Sequence, residues 1–342
     1  MPIINKPQTI WFDLGTPKQV MFFEPIITEI KKKFNILITS RGDDSYTEVN
    51  ALLDRKGLEY HSFGTHGGKD LKSKLDSALY RQNCLNEFIQ NYAIDRLVSL
   101  SSIDGSRVAF GNGIKIVSFN DFPTGKDDKI THAAKLSLPL ADKIFYPFYI
   151  PKDIFSKYCD NIVEYDFLDP VIYLQNQVID KTFFNSLSIN KNKKTILFRE
   201  EEYKAAYVDE KTSFAHKILK SIKYNLIIIP RYEAELLKKE FPEAIIIEEK
   251  IELSNLLPYV DLFIGGGGTI NIEAVYWNTP VISTRSFLCF YDRYLVDKGY
   301  LSWATTEEEL KYLIEKNIGM SFSNNIKRKI DIKTLCKQII KE

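Results

Sequence analysis

The sequence predicts an α/β protein made of two doubly wound, parallel-sheet halves in series. Three observations carry that expectation. Short apolar runs alternate with longer amphipathic segments, a rhythm that implies right-handed crossovers onto a mostly parallel sheet. The rhythm falters once, at DFLDPVIYLQNQ (166–177), which fits neither period and reads as a linker. The length, 342 residues, corresponds to about two domains of ordinary size.

In the first half the strand-like runs are TIWFDLG (9–15), NILITS (35–40), LEYHSFG (58–64), DRLVSL (95–100), KIVSFN (115–120), KIFYP (143–147) and IVEYD (162–166). Helical patterns lie between them, including EPIITEIKKKF (24–34), LKSKLDSALYRQNCLNEFIQ (71–90) and ITHAAKLSLPLA (130–141). The second half repeats the scheme with TILFRE (195–200), YNLIIIP (224–230), AIIIEE (244–249), DLFIG (261–265), PVISTR (280–285) and LSWAT (301–305). Thr306 and Glu309 have capping-box spacing and mark a helix start. The tail from Asn324 reads as a basic helix. The expected divisions are therefore 1–168, 169–323 and a final helix, 324–342.

Composition narrows the partners. With 46 basic and 45 acidic residues the net charge is +1, which gives no reason to expect nucleic acid or a charged membrane surface. No apolar run approaches the roughly 18 residues of a membrane span. Cys84, Cys159, Cys289 and Cys336 are far apart, and their spacing indicates neither a metal site nor a disulfide framework. A cytoplasmic protein without metal or cofactor is expected. The basic tail (Lys327–Lys329) reads first as a solvated helix face; a peripheral membrane contact and oligomerisation stay open.

The sharpest local signal is VDLFIGGGGTINIEAVYWNTPVIS (260–283). In open parallel sheets, ligands bind beyond the carboxyl ends of the strands. DLFI reads as a strand, INIEAVYW as a helix ending at Asn278, and the glycines lie between them. Gly266, Gly267, Gly268 and Thr269 thus place bare amides and the positive end of a helix at a sheet edge, which suits an anion. Glycines that merely let the backbone turn are the simpler alternative. No Gly-Lys-Ser/Thr follows and GGGGTI lacks the third glycine of GxGxxG, so neither familiar phosphate loop is present. Glu273, one turn on, either complements the helix dipole or accepts from a ribose diol, and spacing does not choose. Arg199 and Arg231 each follow a strand and belong on the same edge; their forked donors suit phosphate, though a strand-end arginine also serves as a surface ion-pair residue.

Beyond these readings, the glycine segment resembles the donor-site motif of GT-B enzymes. FDLGTPKQVMFFEPI, FGTHGGKD, SRVAFGNGIKIVSFND, LSLPLADKIFYP and LIIIPR occur in an order similar to that of an archaeal family of uncharacterised proteins. That family is grouped with GT-B glycosyltransferases and nonhydrolysing UDP-N-acetylglucosamine 2-epimerases. The resemblance spans about residues 9–305. It implies the GT-B fold, two Rossmann-like domains facing across a cleft, with the last helix returning to the first domain. It implies that Gly266–Thr269 hold the diphosphate of a nucleotide-sugar donor, that Glu273 holds the ribose, and that Arg199 matches an arginine of the epimerases. An acceptor, of unknown identity, would sit on the first domain near Gly15, Thr16, His66-Gly67-Gly68 and Asp104–Arg107.

Glycosyl transfer needs a stabilised leaving diphosphate and, with inversion, a base for the incoming hydroxyl. Amides and arginines supply the first without metal, and no Asp-x-Asp pair of the metal-dependent transferases occurs. The candidate catalytic residues are Asp121, Asp13, Asp104 and His66; strand-end aspartates that cap helices, and a histidine that bonds a turn, are the plain alternatives. Lys18 and Gln19 stand where many related proteins carry a histidine. For epimerisation, Asp104 and Asp121 fall near expected acidic positions, but Ala134 and Lys135 replace an expected Asn-Arg. A catalytically silent nucleotide-sugar-binding protein is the third alternative.

Overall fold

A computed structural model of the chain describes residues 8–341 except 43–46, 69, 201–213, 232–233 and 250. Residues 1–7 of the chain start and Lys69 of FGTHGGKD lie outside the described residues. The chain divides into two compact units, one running up to Tyr173 and including the segment from Lys329 onward, the other Leu174–Arg328.

In the first unit the elements are β1 (Thr9–Leu14), α1 (Pro17–Ile30), β2 (Asn35–Ser40), α2 (Glu48–Arg55), β3 (His61–Ser62), α3 (Leu71–Ile89), β4 (Ile94–Leu100), α4 (Ile103–Gly111), β5 (Lys115–Phe119), α5 (His132–Ser137), β6 (Lys143–Pro147), α6 (Asp153–Ser156) and β7 (Ile162–Tyr165). The seven strands among the described residues are parallel, in the order β3-β2-β1-β4-β5-β6-β7. Every residue of β1 is buried, as a central strand covered by helices on both faces must be. On one face Phe12, Phe119 and Phe145 pack under Phe22 and Phe23 of α1; on the other Trp11, Leu97 and Ile116 pack under Leu85 and Ile89 of α3 and Val108 of α4. The order reverses between β1 and β4, so the carboxyl ends of those strands open a crevice.

The second unit follows the short α7 (Val171–Leu174) at the boundary. It contains α8 (Thr182–Ser186), β8 (Thr195–Arg199), α9 (Phe214–Leu219), β9 (Asn225–Ile229), α10 (Ala234–Glu240), β10 (Ile245–Ile246), β11 (Leu262–Gly265), α11 (Thr269–Tyr276), β12 (Val281–Ser283), α12 (Phe290–Asp297), β13 (Ser302–Trp303) and α13 (Glu307–Asn317). Among the described residues its six strands are again parallel, ordered β10-β9-β8-β11-β12-β13, with the reversal between β8 and β11. Asn278, just past α11, has φ 59°, the left-handed stop expected of it. Thr306 caps α13 by accepting from the Glu309 N–H at 3.2 Å.

Three expectations need correction. Helix α1 begins at Pro17 rather than residue 24. Thr16 caps it and Pro17 takes its first position, where the missing N–H costs nothing. Residues 166–177 are not a free linker: Phe167, Leu168, Val171 and Ile172 are buried, and Asp169 is 1% exposed. A buried ion pair there interrupts the apolar period and makes the stretch look irregular. The final helix, α14 (Ile332–Ile340), starts at 332 rather than 324. Asn324 and Arg328 instead tie the preceding stretch to the end of α11: Asn324 Nδ2 donates to the Val275 carbonyl at 2.5 Å, and Arg328 binds the Tyr276 carbonyl and stacks on its ring.

Helix α14 lies against α1, with Leu335, Cys336 and Ile339 in the same core cluster as Ile26. Two cations beneath the sheet close its carboxyl end. Arg96 Nη1 donates to the Ile339 carbonyl at 2.8 Å, and Lys143 Nζ to those of Gln338 at 3.1 Å and of Lys341. Positive charge there satisfies terminal carbonyls and complements the helix dipole. Arg96→Ala therefore lowers unfolding stability by about 1–3 kcal/mol in urea, and limited proteolysis releases the C-terminal segment first.

Candidate functional site

At the carboxyl edge of the first sheet the central group is Asp13. Thr39 Oγ1 donates to its Oδ1 at 2.6 Å, while Arg81 grips it with Nη2 to Oδ1 at 2.6 Å and Nη1 to Oδ2 at 3.2 Å. Ser102 Oγ adds a third donor at 2.5 Å, and Thr39 is itself held by the Trp11 indole N–H at 2.8 Å. Burial alone would raise the Asp13 carboxyl, but the Arg81 charge and the bonds from Arg81, Ser102 and Thr39 outweigh it and hold the group below the usual range. Asp104, at the start of α4, accepts from Gln82 at 3.0 Å and from Arg81 at 3.5 Å. Both aspartates thus face one buried guanidinium from α3.

Asp121, just past β5, belongs to a second cluster. Lys18, in the first turn of α1, bridges Asp121 and Asp169, the latter at 2.8 Å, and Tyr165 donates its hydroxyl to Asp169 at 2.7 Å. Two carboxylates share one ammonium, and burial pushes Asp169 up to about 6 despite the opposing pull of Lys18. Lys18 is raised in turn, the two carboxylates overcoming its own burial. Lys18 remains one-quarter exposed, so the cluster opens to solvent through it.

The opening loop is occupied by its own chain. Gln19 Oε1 accepts from the amides of Gly15 at 2.5 Å and Thr16 at 3.1 Å, and its Nε2 reaches the Leu100 carbonyl at 3.0 Å. His66 is exposed, in the stretch between β3 and α3, and Gly67 beside it has φ 72° with no space for a Cβ against Lys74.

In the second unit, β9, β8 and β11 are neighbours, so Arg231, Arg199 and the glycines share one edge. The Arg199 carbonyl accepts from the Gly266 amide at 3.1 Å, and Arg231 Nε donates to the Glu200 carbonyl at 3.4 Å. Gly267 and Gly268 have φ 93° and 85°. The Gly268 amide is taken by Tyr291 Oη at 3.1 Å. Among the described residues, the amides of Gly267, Thr269 and Ile270 have no acceptor, and all three residues are part-exposed, with Glu273 one turn on. Beneath the turn runs Arg285, 5% exposed, bound to Tyr291 and to Asp292.

Lys18, Gln19, Arg81, Asp169, Arg285 and Tyr291 thus join the candidates named from the sequence. Arg285 was open to detection, since it ends the apolar run PVISTR and lies two residues past β12. Arg81 lies within a long helix and Asp169 within the irregular stretch, where no local pattern marks them.

Gly267→Ala places a Cβ 2.4 Å from Arg285 Cδ at a positive φ; it lowers stability by about 1–3 kcal/mol in chemical denaturation. Because Asp169 is protonated more readily in the folded than in the unfolded chain, its contribution to stability is present below about pH 4 and lost as pH rises towards 6. Asp169→Asn flattens the pH dependence of unfolding in that window.

Comparison with known proteins places this geometry. Residues 8–341 match the model of a family described as protein of unknown function (DUF354). An uncharacterized protein of Methanocaldococcus jannaschii, MJ0665, is 26% identical over 321 residues, covering 91% of this chain and 92% of that one. Among solved structures, the UDP-GlcNAc 2-epimerase of Neisseria meningitidis bound to UDP-GlcNAc superposes with TM-score 0.69 at 14% identity, over 98% of this chain and 100% of its own. The spinosyn rhamnosyltransferase SpnG complexed with thymidine diphosphate superposes with TM-score 0.63 at 13% identity, over 92% of each chain. At such identities the likeness shows the fold: two parallel-sheet α/β units of the GT-B kind.

Proposed function

The chain belongs to the DUF354 family, whose description carries no activity, and from its own residues we propose that it is a GT-B glycosyltransferase using a nucleoside-diphosphate sugar, in the first instance a UDP-sugar. One observation carries the reading: the amides of Gly267, Thr269 and Ile270 at the start of α11, which meet no acceptor among the described residues, on the edge that also carries Arg199 and Arg231. Amides and a helix positive end stabilise the charge that builds on a departing diphosphate without needing a metal. Glu273, one turn on, is within the same helix face for a ribose diol. The fold is shared with proteins whose bound ligands are UDP-GlcNAc and thymidine diphosphate.

On the first unit, Asp13 and Asp104 are committed to Arg81, which makes them supports rather than proton acceptors. Asp121 is the better base: it and Asp169 share the single Lys18 ammonium, so the three groups together hold one surplus negative charge, and the cluster meets solvent at Lys18. In transfer, the acceptor oxygen bonds to the anomeric carbon, the bond to the diphosphate breaks with its electron pair leaving on phosphate, and the acceptor proton passes to the carboxylate cluster.

The test is a thermal-shift panel of nucleotides and nucleotide sugars, followed by product analysis of the best binder. A UDP-sugar at a hundredfold excess over Kd adds about 2.7 kcal/mol of stability. Arg231→Ala weakens UDP binding about tenfold, by loss of a charge-assisted bond; Asp121→Asn leaves binding intact and abolishes turnover. UDP release that requires an acceptor supports transfer. Interconversion of two epimers without acceptor replaces transfer with 2-epimerisation, and binding without turnover replaces both with a silent binding protein. Unchanged UDP affinity in Arg231→Ala removes that arginine from the phosphate site.

A further inference from the structure

The second unit contains a set of side chains that has no part in the reaction above: Arg285, Tyr291 and Asp292, all buried, and Trp303, which is partly exposed. Gly267 and Gly268 both lie at positive φ, and glycine is the residue that loses most freedom when held in one conformation. Such a turn keeps its shape only if something outside it does the holding. Here the Arg285 stem passes directly under Gly267, so close that a Cβ there would lie 2.4 Å from Arg285 Cδ. Tyr291 Oη accepts two hydrogen bonds, from the Gly268 amide at 3.1 Å and from Arg285 Nη1 at 2.5 Å. The other joints are fixed as well. Arg285 Nη1 reaches Asp292 Oδ2 at 2.9 Å, the same oxygen accepts from the Cys289 amide at 3.0 Å, and the Trp303 indole donates to the Arg285 carbonyl at 2.9 Å. The guanidinium also lies 4.7 Å from the centre of the Phe287 ring.

We propose that Tyr291 and Arg285 form a latch that presets the turn before α11, and that the Tyr291 hydroxyl is thereby a positioning group setting affinity for a diphosphate; this rests on the reading of that turn as the donor's phosphate site. The latch draws the Gly268 N–H inward and leaves the Gly267, Thr269 and Ile270 amides for an anion. A ligand that meets donors already in place does not bear the cost of ordering them. Accepting from a guanidinium also polarises the phenol, which strengthens the small network it belongs to. Because Asp292 offsets the Arg285 charge, removing the hydroxyl alters the geometry of the turn and not its net charge.

Tyr291→Phe keeps the ring and deletes only the oxygen; Arg285→Lys keeps the stem and charge and deletes the fork. Hydrogen exchange of the 262–272 segment, without ligand, is expected to quicken about tenfold in both variants. Binding of UDP and of inorganic pyrophosphate, followed by calorimetry, is expected to weaken about tenfold in Tyr291→Phe, with uridine affected no more than in the parent. Exchange unchanged in both variants overturns the latch, whatever the ligand proves to be. Faster exchange with unaltered UDP affinity overturns its role in binding. A parent protein that binds neither UDP nor pyrophosphate overturns the phosphate reading itself, while the exchange measurement still decides whether the latch exists.

Discussion

The first unit is organised around one buried ion pair. Arg81 reaches from α3 to the end of β1, and in that single contact it neutralises Asp13, touches Asp104 on α4 and approaches the Ser40 carbonyl on β2. A guanidinium and a carboxylate taken out of water are costly unless every donor and acceptor is met. Here the Thr39 and Ser102 hydroxyls complete the carboxylate and the Phe63 carbonyl takes the Arg81 Nε–H. Apolar replacements of similar volume would pack as well. They would not fix how β1, β2, α3 and α4 meet at the place where the sheet order reverses, which is where a ligand crevice forms.

The second unit solves the equivalent problem differently. Its reversal lies between β8 and β11, and there a glycine turn is supported by the side chains of Arg285 and Tyr291. Gly266 is tied to β8 through the Arg199 carbonyl, and the Gly265 carbonyl accepts from the Thr284 amide just past the adjoining strand β12. The glycines are needed for more than a tight turn: Gly265 adjoins the Phe263 ring and Asn271, and Gly267 adjoins Arg285, at separations that admit no Cβ. Four glycines in succession therefore answer to three separate demands, namely closeness to the core, positive φ and open amides.

Most of the architecture was legible because parallel sheets buried on both faces write themselves as apolar runs, and TIWFDL, NILITS, LFIG and VIS are such runs. The helix at 71–90 and the left-handed Asn278 were readable from period and residue type. What escaped were features set by partners distant in sequence. Thr16 and Pro17 look like a loop until Gln19 is seen to close back on the Gly15 and Thr16 amides. The 166–177 stretch looks like a linker because Asp169 interrupts it, and nothing nearby shows that Lys18, some 150 residues earlier, supplies the counter-ion. At the sheet edges, residue type gave Asp13, Asp104 and Asp121 equal standing. Their surroundings differ only in the cation each meets, Arg81 for two and Lys18 for the third.

The return of α14 to the first unit has a bearing on how the protein comes into being. Leu335, Cys336 and Ile339 complete a core whose other members are all in place by Ile172. During synthesis that core waits, with the flank of α1 uncovered, until the whole second unit has been made. A ribosome moving at ordinary speed leaves this surface bare for roughly ten seconds or more. Cys336 of α14 meets α1 at the Ile26 carbonyl, so this flank of the helix is left open during that interval. Growth conditions that slow elongation late in the message would lengthen that exposure without altering a single residue of the finished molecule.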